Sequence, residues 1–292
     1  NYKKRTNVMP YAQIDGIRTR YNVVGSGPPI LMYAPGGFNA RLEQWTELGV
    51  YKRLKLLDHL PSEYTCIIFD RRENGESGGR VEAVGWPHFV RQGAGLLDEL
   101  GFDKAHLLGG CMGCPPVTAF AAAHAERVLS MILFWPVGGP KYRINCQLRF
   151  ARHLSFIEEN GLQAVVDLVH SHDLNFSQDP RSGPWVGPIR NDPDFAKKYV
   201  AYDLVAYKNI LFAMVGALFD RDTAPGAGAE ELLAMDIPSF IVPGDDDAHA
   251  KSAAMYLHEC LRGSVYVDIA PKEQSEENIP PRIIEFLGGV GV

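Results

Sequence analysis

The sequence predicts an α/β chain with a mostly parallel central sheet flanked by helices and a helical insertion in its second half. Three observations carry this. Short apolar or β-branched runs alternate with longer helix-patterned stretches. Those runs are apolar at consecutive positions, as in strands covered on both faces. The alternation stops over residues 137–225, where helical and aromatic segments follow one another.

In chain order, strands are expected at 17–24, 30–33, 65–69, 105–108, 128–134, 238–242 and 265–269. Helices are expected at 45–60, 89–100, 113–125, 251–261 and 280–287. The interrupted stretch holds Phe150, Phe156, Trp185, Tyr199, Tyr202, Tyr207 and Phe212 around a Pro/Gly-rich middle, SQDPRSGPWVGPIRNDPDF. It reads as a cap on the carboxyl edge of the sheet, where α/β folds place ligands. The expected division is a core of residues 1–136 and 226–292 with a helical cap, or lid, of residues 137–225. The cap aromatics read as cap core, with contacts to an apolar substrate as the alternative. Arg143, Arg149 and Arg152 are either solvated or available to a substrate carboxylate, the last two sharing a helix face.

Composition narrows the function. The 292 residues are 46% apolar and carry Lys+Arg 29 against Asp+Glu 35, a formal net charge of −6. That apolar content excludes a disordered chain, and the mild acidity argues against nucleic acid. The dense basic cluster, Lys3, Lys4 and Arg5, reads as a solvated tail. No apolar run approaches the ~18 residues of a membrane span, and the first residues lack the apolar stretch of a secretory leader. The cysteines are Cys66, Cys111, Cys114, Cys146 and Cys260. An odd number points to reduced thiols and a cytoplasmic setting. There is neither zinc-type Cys/His spacing nor a calcium loop, so no metal or cofactor is expected. The expected partner is a small-molecule substrate, with no nucleic acid and no membrane; a homodimer is left open.

The most informative motif is AHLLGGCMGCPPVTAFAAAHAERV, which runs strand, turn, helix. Gly109-Gly110-Cys111-Met112-Gly113 places a nucleophile on a sharp bend, with small residues two before and two after so that the chain turns without clash. A helix N-terminus beneath the thiol favours its anion, and the Met112 N–H is placed to hold an oxyanion. Here the chain resembles the α/β-hydrolase superfamily, and three further segments agree in order. MYAPGGF resembles that family's oxyanion loop, with Pro35 in place of the usual His and Gly36 kept. Gly37 would supply the second oxyanion N–H. FDRRENGESGG resembles the family's Asp-Arg-Arg-Gly-x-Gly-x-Ser run through Asp70, Arg71, Arg72, Gly75 and Ser77. IPSFIVPGDDDAH resembles the strand and loop that deliver the triad acid, and the G-x-x-D pattern there points to Asp247.

The chain departs from the family at the base. The family's catalytic His follows the last strand, but here that region is VYVDIAPKEQSEENIPPRIIEFL, without histidine. Gln274, or its neighbour Glu273, occupies the slot. A cysteine nucleophile tolerates that loss better than a serine, because some thiolate exists at neutral pH. Glu273 could shuttle a proton, although its charge would oppose thiolate formation. His249, two residues after Asp247 on the same loop, is the histidine placed to assist Cys111. His88, His153, His170 and His172 are alternatives, whereas His59, His106, His124 and His258 read as structural. Cys111 and Cys114 also form C-x-x-C, for which the expected reading is packing rather than redox chemistry. Asp245 and Asp246 read as a solvated turn.

Three functions follow. The first is hydrolysis or acyl transfer by a cysteine nucleophile on a small ester, lactone, thioester or related carbonyl compound. The second is a non-catalytic member that binds a small molecule. The third is a lyase or isomerase that uses the oxyanion hole.

Overall fold

Apolar side chains alternate between the two faces of each central strand, and both faces are covered. The computed structural model describes residues 9–291, so Lys3, Lys4 and Arg5 lie outside the described residues. The strands are Tyr11–Ile14 (β1), Ile17–Val24 (β2), Pro29–Tyr33 (β3), Thr65–Phe69 (β4), Ala105–Gly110 (β5), Val128–Phe134 (β6), Ser239–Val242 (β7) and Val265–Tyr266 (β8). They form one sheet in the order β1-β2-β4-β3-β5-β6-β7-β8. The β1–β2 and β2–β4 pairs are antiparallel and the other pairs parallel.

Period-two alternation sorts the core into two layers. Leu31, Tyr33, Ile67, Phe69, Leu107 and Leu133 pack on one side, with helices Trp86–Leu100 and Cys114–Ala123. Ile30, Met32, Cys66, Ile68, Leu108 and Ile132 pack on the other, with helix Pro280–Gly288. These strands are therefore apolar at consecutive positions.

Two expectations need correction. Tyr11–Ile14 is a strand that the sequence reading left out. It pairs with β2 through a hairpin whose turn residues, Asp15 and Gly16, have φ of 52° and 67°, the conformation that Asp-Gly favours. The helix expected at 45–60 is broken into Gln44–Glu47, Gly49–Leu54 and Leu56–His59, because Gly49 and Lys55 take left-handed φ of 41° and 49°.

Between β6 and β7 the chain is helical: Pro140–Ser171, kinked at Gly161 (φ 76°), then Val186–Asn191, Pro193–Val200 and Leu204–Leu218. Its interior is held partly by a buried polar chain. The Tyr207 hydroxyl lies 2.8 Å from His153 Nε2 and 2.7 Å from the Tyr199 hydroxyl. The insertion is tied to the loops at the carboxyl edge of the sheet. Trp185 Nε1 donates to the Arg80 carbonyl at 2.8 Å, and Asn191 donates to the Gly75 carbonyl at 2.7 Å. Phe38, just after β3, meets Phe150 and Phe176 edge-on at 5.5 and 5.4 Å. No single helix among the described residues is long and apolar enough to cross a membrane.

Candidate active site

The site forms where β3, β5, β6 and β7 end. Parallel pairing sets Tyr33 opposite Gly109 and Phe134 opposite Val242, so the loops after all four strands leave the same edge of the sheet. β5 runs into a single 3-10 turn, Cys111–Gly113, and then into helix Cys114–Ala123. Cys111 sits at φ 53°, left-handed for a residue with a Cβ, a conformation that costs of order 1–3 kcal/mol and persists where surrounding structure imposes it. The flanking glycines show what imposes it. A Cβ on Gly109 would strike the Gly113 carbonyl, and one on Gly113 would strike the Tyr33 carbonyl. The bend leaves Cys111 partly exposed, whereas Cys114 is buried, its thiol directed at the Gly109 carbonyl at 3.1 Å. Cys114 thus packs the turn.

On the oxyanion side, Gly36 takes φ 111° and Gly37 φ 62°. The N–H groups that favour the Cys111 anion are those of Gly36 and Met112. Gly37 is tied to the site through its carbonyl, which accepts from Arg71 Nη2. Arg71 Nη1 donates to the Met112 carbonyl at 3.0 Å. One buried guanidinium therefore joins the loop after β3 to the elbow.

On the base side, the loop after β7 carries Gly244, Asp245, Asp246, Asp247, Ala248 and His249. Asp246 Oδ1 accepts from the Ala248 N–H (2.8 Å), the His249 N–H (2.9 Å) and His249 Nδ1 (2.8 Å). The backbone pins the same residue: His249 bridges to Gly138, and the Gly138 N–H donates to Ala248 O at 3.1 Å. Because Nδ1 faces the carboxylate, Nε2 is the nitrogen turned inward. It is buried without a hydrogen-bond partner, near enough to Cys111 for the two charges to act on each other. Gly244 makes room, since a Cβ there would lie 2.6 Å from that of His249.

The electrostatics follow. Burial pushes the Cys111 thiol up, but the nearby His249 charge, with the Gly36 and Met112 N–H groups, brings it below its ordinary value. Burial pushes the His249 ring down, and the Cys111 charge with the Asp246 hydrogen bond and charge outweigh it, raising the ring to about 10. The hydrogen bond from His249 holds Asp246 down to about 2. Both partners are thus shifted toward a thiolate–imidazolium pair.

Three residues expected here lie elsewhere or act otherwise. Asp247 is 68% exposed and pairs with Lys141 at 2.7 Å, so the carboxylate on His249 is that of Asp246. The G-x-x-D count overshoots by one residue. Glu273 is exposed at the end of a short turn, Pro271–Glu273, and makes no side-chain bond to the site. Gln274 does occupy the slot after β8, but as a brace. Its Oε1 accepts from Trp135 Nε1 at 2.8 Å, and its Nε2 donates to the carbonyls of Pro243 (2.9 Å) and Ile269 (3.1 Å). With every polar atom bonded it has no proton to exchange. Trp135 in turn packs on the His249 ring, centroids 5.3 Å apart, so the slot residue supports His249 through one aromatic ring.

Six of the other histidines have structural partners. His88 Nδ1 accepts from the Gly85 N–H at the start of its helix. His106 meets Ser130, His153 bonds Arg181 O and Tyr207, His170 meets Ile189 O, His172 pairs with Asp179, and His258 meets Ser264. Arg143 is bound to Asp222 at 2.6 Å, and Arg149 lies over Phe176 at 6.0 Å. Asp246, expected in a solvated turn, instead bonds His249, and the sequence reading passed over Trp135 and the position of Arg71. The spacing Asp-x-x-His was a usable signal for the first, because a short carboxylate reaches N–H groups two and three residues on. No local signal marked the other two.

A sequence family described as alpha/beta hydrolase fold matches residues 29–152, the stretch holding the oxyanion loop and the elbow. The crystal structure of the enol-lactonase from Burkholderia xenovorans LB400 superposes with a TM-score of 0.60 at 19% identity, over 96% of this chain and all of that one. The fold is that of the α/β-hydrolase superfamily. The chain is also 32% identical over 128 residues to the dihydrolipoyllysine-residue acetyltransferase component of an acetoin cleaving system from Cupriavidus necator. That alignment covers 44% of this chain and 32% of the relative, so the chain spans about a third of that protein's length. It is 24% identical to a non-heme haloperoxidase from Rhodococcus erythropolis, over 88% of this chain and 91% of the other.

Proposed function

We propose that this protein is a hydrolase or acyl-transfer enzyme in which Cys111 is the nucleophile, His249 the acid–base group and Asp246 its orienting carboxylate. Its substrate is a small ester, lactone, thioester or related carbonyl compound, and the helical segment of residues 137–225 is its lid. The observation that carries this is the convergence on one partly exposed sulfur of an imidazole, held by a carboxylate at 2.8 Å, and two backbone N–H groups. The likeness to an enol-lactonase and to a non-heme haloperoxidase supports chemistry at this edge of the sheet.

The steps follow from the atoms. The Cys111 thiolate attacks the carbonyl carbon, and charge moves from sulfur to oxygen, where the Gly36 and Met112 N–H groups receive it. Collapse breaks the bond to the leaving group, which takes the proton from His249 Nε2. Neutral His249 then removes a proton from water, or from another acceptor, as that oxygen attacks the thioester; the C–S bond breaks, and the Cys111 thiolate beside protonated His249 is restored. Asp246 keeps Nδ1 protonated, so Nε2 is always the nitrogen that exchanges.

The test is intact-protein and peptide mass spectrometry after mixing with 4-nitrophenyl acetate. An acetyl adduct on Cys111 that forms and decays at the turnover rate is expected. Turnover that persists in Cys111→Ala would overturn the assignment.

A further inference from the structure

Arg71 is 1% exposed, and among the described residues no carboxylate lies within 4 Å of its guanidinium; the ion pairs of this region belong to Arg20 and Arg72. It rests on the face of Phe89, 4.7 Å from the ring centroid, and spends two nitrogens on the Met112 and Gly37 carbonyls. Its third nitrogen, Nε, is buried with no partner. Beside it is a second free donor, the Tyr142 hydroxyl, buried and with only the weakly accepting Cys146 thiol near it. Both groups lie close enough to Cys111 to feel its charge.

A buried cation without a counter-ion is costly, so the anion that faces Arg71 matters. In the resting site the charge of the Cys111 thiolate acts on it through space. Glu73 adds to the field but is committed to Arg72 at 2.9 Å. Acylation removes the thiolate: the sulfur becomes a neutral thioester, so Arg71 loses that charge while its Nε and the Tyr142 hydroxyl stay unpartnered. A neutral acyl group leaves them so. An acyl group that brings its own carboxylate restores the balance, because a guanidinium and a phenol both donate to carboxylate oxygens.

We infer that Arg71 and Tyr142 form a carboxylate subsite beside Cys111, so that the preferred substrate carries an anionic carboxylate on its acyl part, a few bonds from the reacting carbonyl. This rests on the proposed role of Cys111 but is tested separately from it.

The test compares alkylation of Cys111 by iodoacetate and by iodoacetamide, equal in size and differing in charge, followed by the mass of the modified peptide. The wild-type protein should react at least about ten-fold faster with iodoacetate, since a charge-assisted hydrogen bond changes a rate by that order. Arg71→Gln should reverse the order, and Tyr142→Phe should reduce the preference several-fold. Faster reaction with iodoacetamide in the wild type overturns the inference, and this arm needs no variant to fold. A ratio unchanged in both variants overturns it also. If iodoacetamide is faster while 4-nitrophenyl acetate still acylates Cys111, the subsite falls and the acyl-transfer reading stands. If iodoacetate is preferred but no ester acylates Cys111, the subsite stands and the acyl-transfer reading falls.

Discussion

The two sides of this site are built by different means. The cysteine side is backbone. Five consecutive residues, Gly109 to Gly113, bend because backbone carbonyls exclude a Cβ at two positions, and the N–H groups that favour the Cys111 anion are main-chain. The histidine side is side chains. His249 is held by Asp246 on its own loop, by Trp135 from the end of β6 and, through Trp135, by Gln274 after β8. A backbone device depends on neighbours in sequence and leaves a motif. A device assembled from three loops depends on strand order and leaves only scattered residues.

Removing the base should have the largest effect and shows whether the second side acts on the first. His249→Ala is expected to lower kcat/KM by about 10²–10⁴-fold, the range for a positioned acid–base group. It should also move the thiol. In the wild type, the rate of Cys111 alkylation by iodoacetamide should rise with pH through a value below the ordinary thiol range. A second change should come near pH 10, where His249 loses its proton. In the variant the lower inflection should shift upward, because the cation that favours the thiolate is gone. An unshifted inflection would mean that the elbow alone sets the thiol.

Bracing comes next. Gln274→Ala leaves the Trp135 N–H and two carbonyls without partners, a loss of about 2–4 kcal/mol by urea unfolding, with kcat/KM down about ten-fold. Placing a histidine at 274 should bring a loss of stability and no gain in rate, because that position holds Trp135 and Pro243 rather than lacking a base. A large rate gain would show that the slot after β8 still faces the sulfur.

The finest comparison lies between adjacent carboxylates. Asp246→Asn should lower activity by about 100-fold through loss of the imidazole's orientation and tautomer. Asp247→Asn, at an exposed pair with Lys141, should stay within about two-fold. Equal effects would refute the assignment of Asp246. The sign with acid follows from Asp246 being held near 2: the stability it adds is present above the ordinary carboxyl range and is lost as pH falls through about 2.

The central strands were legible because each is a short apolar run, and burial on both faces demands that pattern whatever the neighbours. Tyr11–Ile14 was missed because an edge strand buries only alternate residues over four positions, too few to show a period. The 45–60 region shows the opposite error: its apolar spacing is helical, but left-handed residues at Gly49 and Lys55 break it. In the loop after β7, counting from Gly244 led to Asp247. The backbone instead turns so that Asp246 reaches the Ala248 and His249 N–H groups, leaving its neighbour in solvent.

By itself the sequence determined the sheet, the bend at Cys111 and the glycine-lined loop facing it, because each follows from sterics and burial within a few consecutive residues. Only the tertiary structure decided which carboxylate meets His249, what Gln274 supports, and that Arg71 is buried beside the sulfur without a carboxylate. Those outcomes depend on which strands lie next to one another. Hydrogen bonds and charges act over a few ångströms, whereas the residues that share them here stand up to 139 positions apart along the chain.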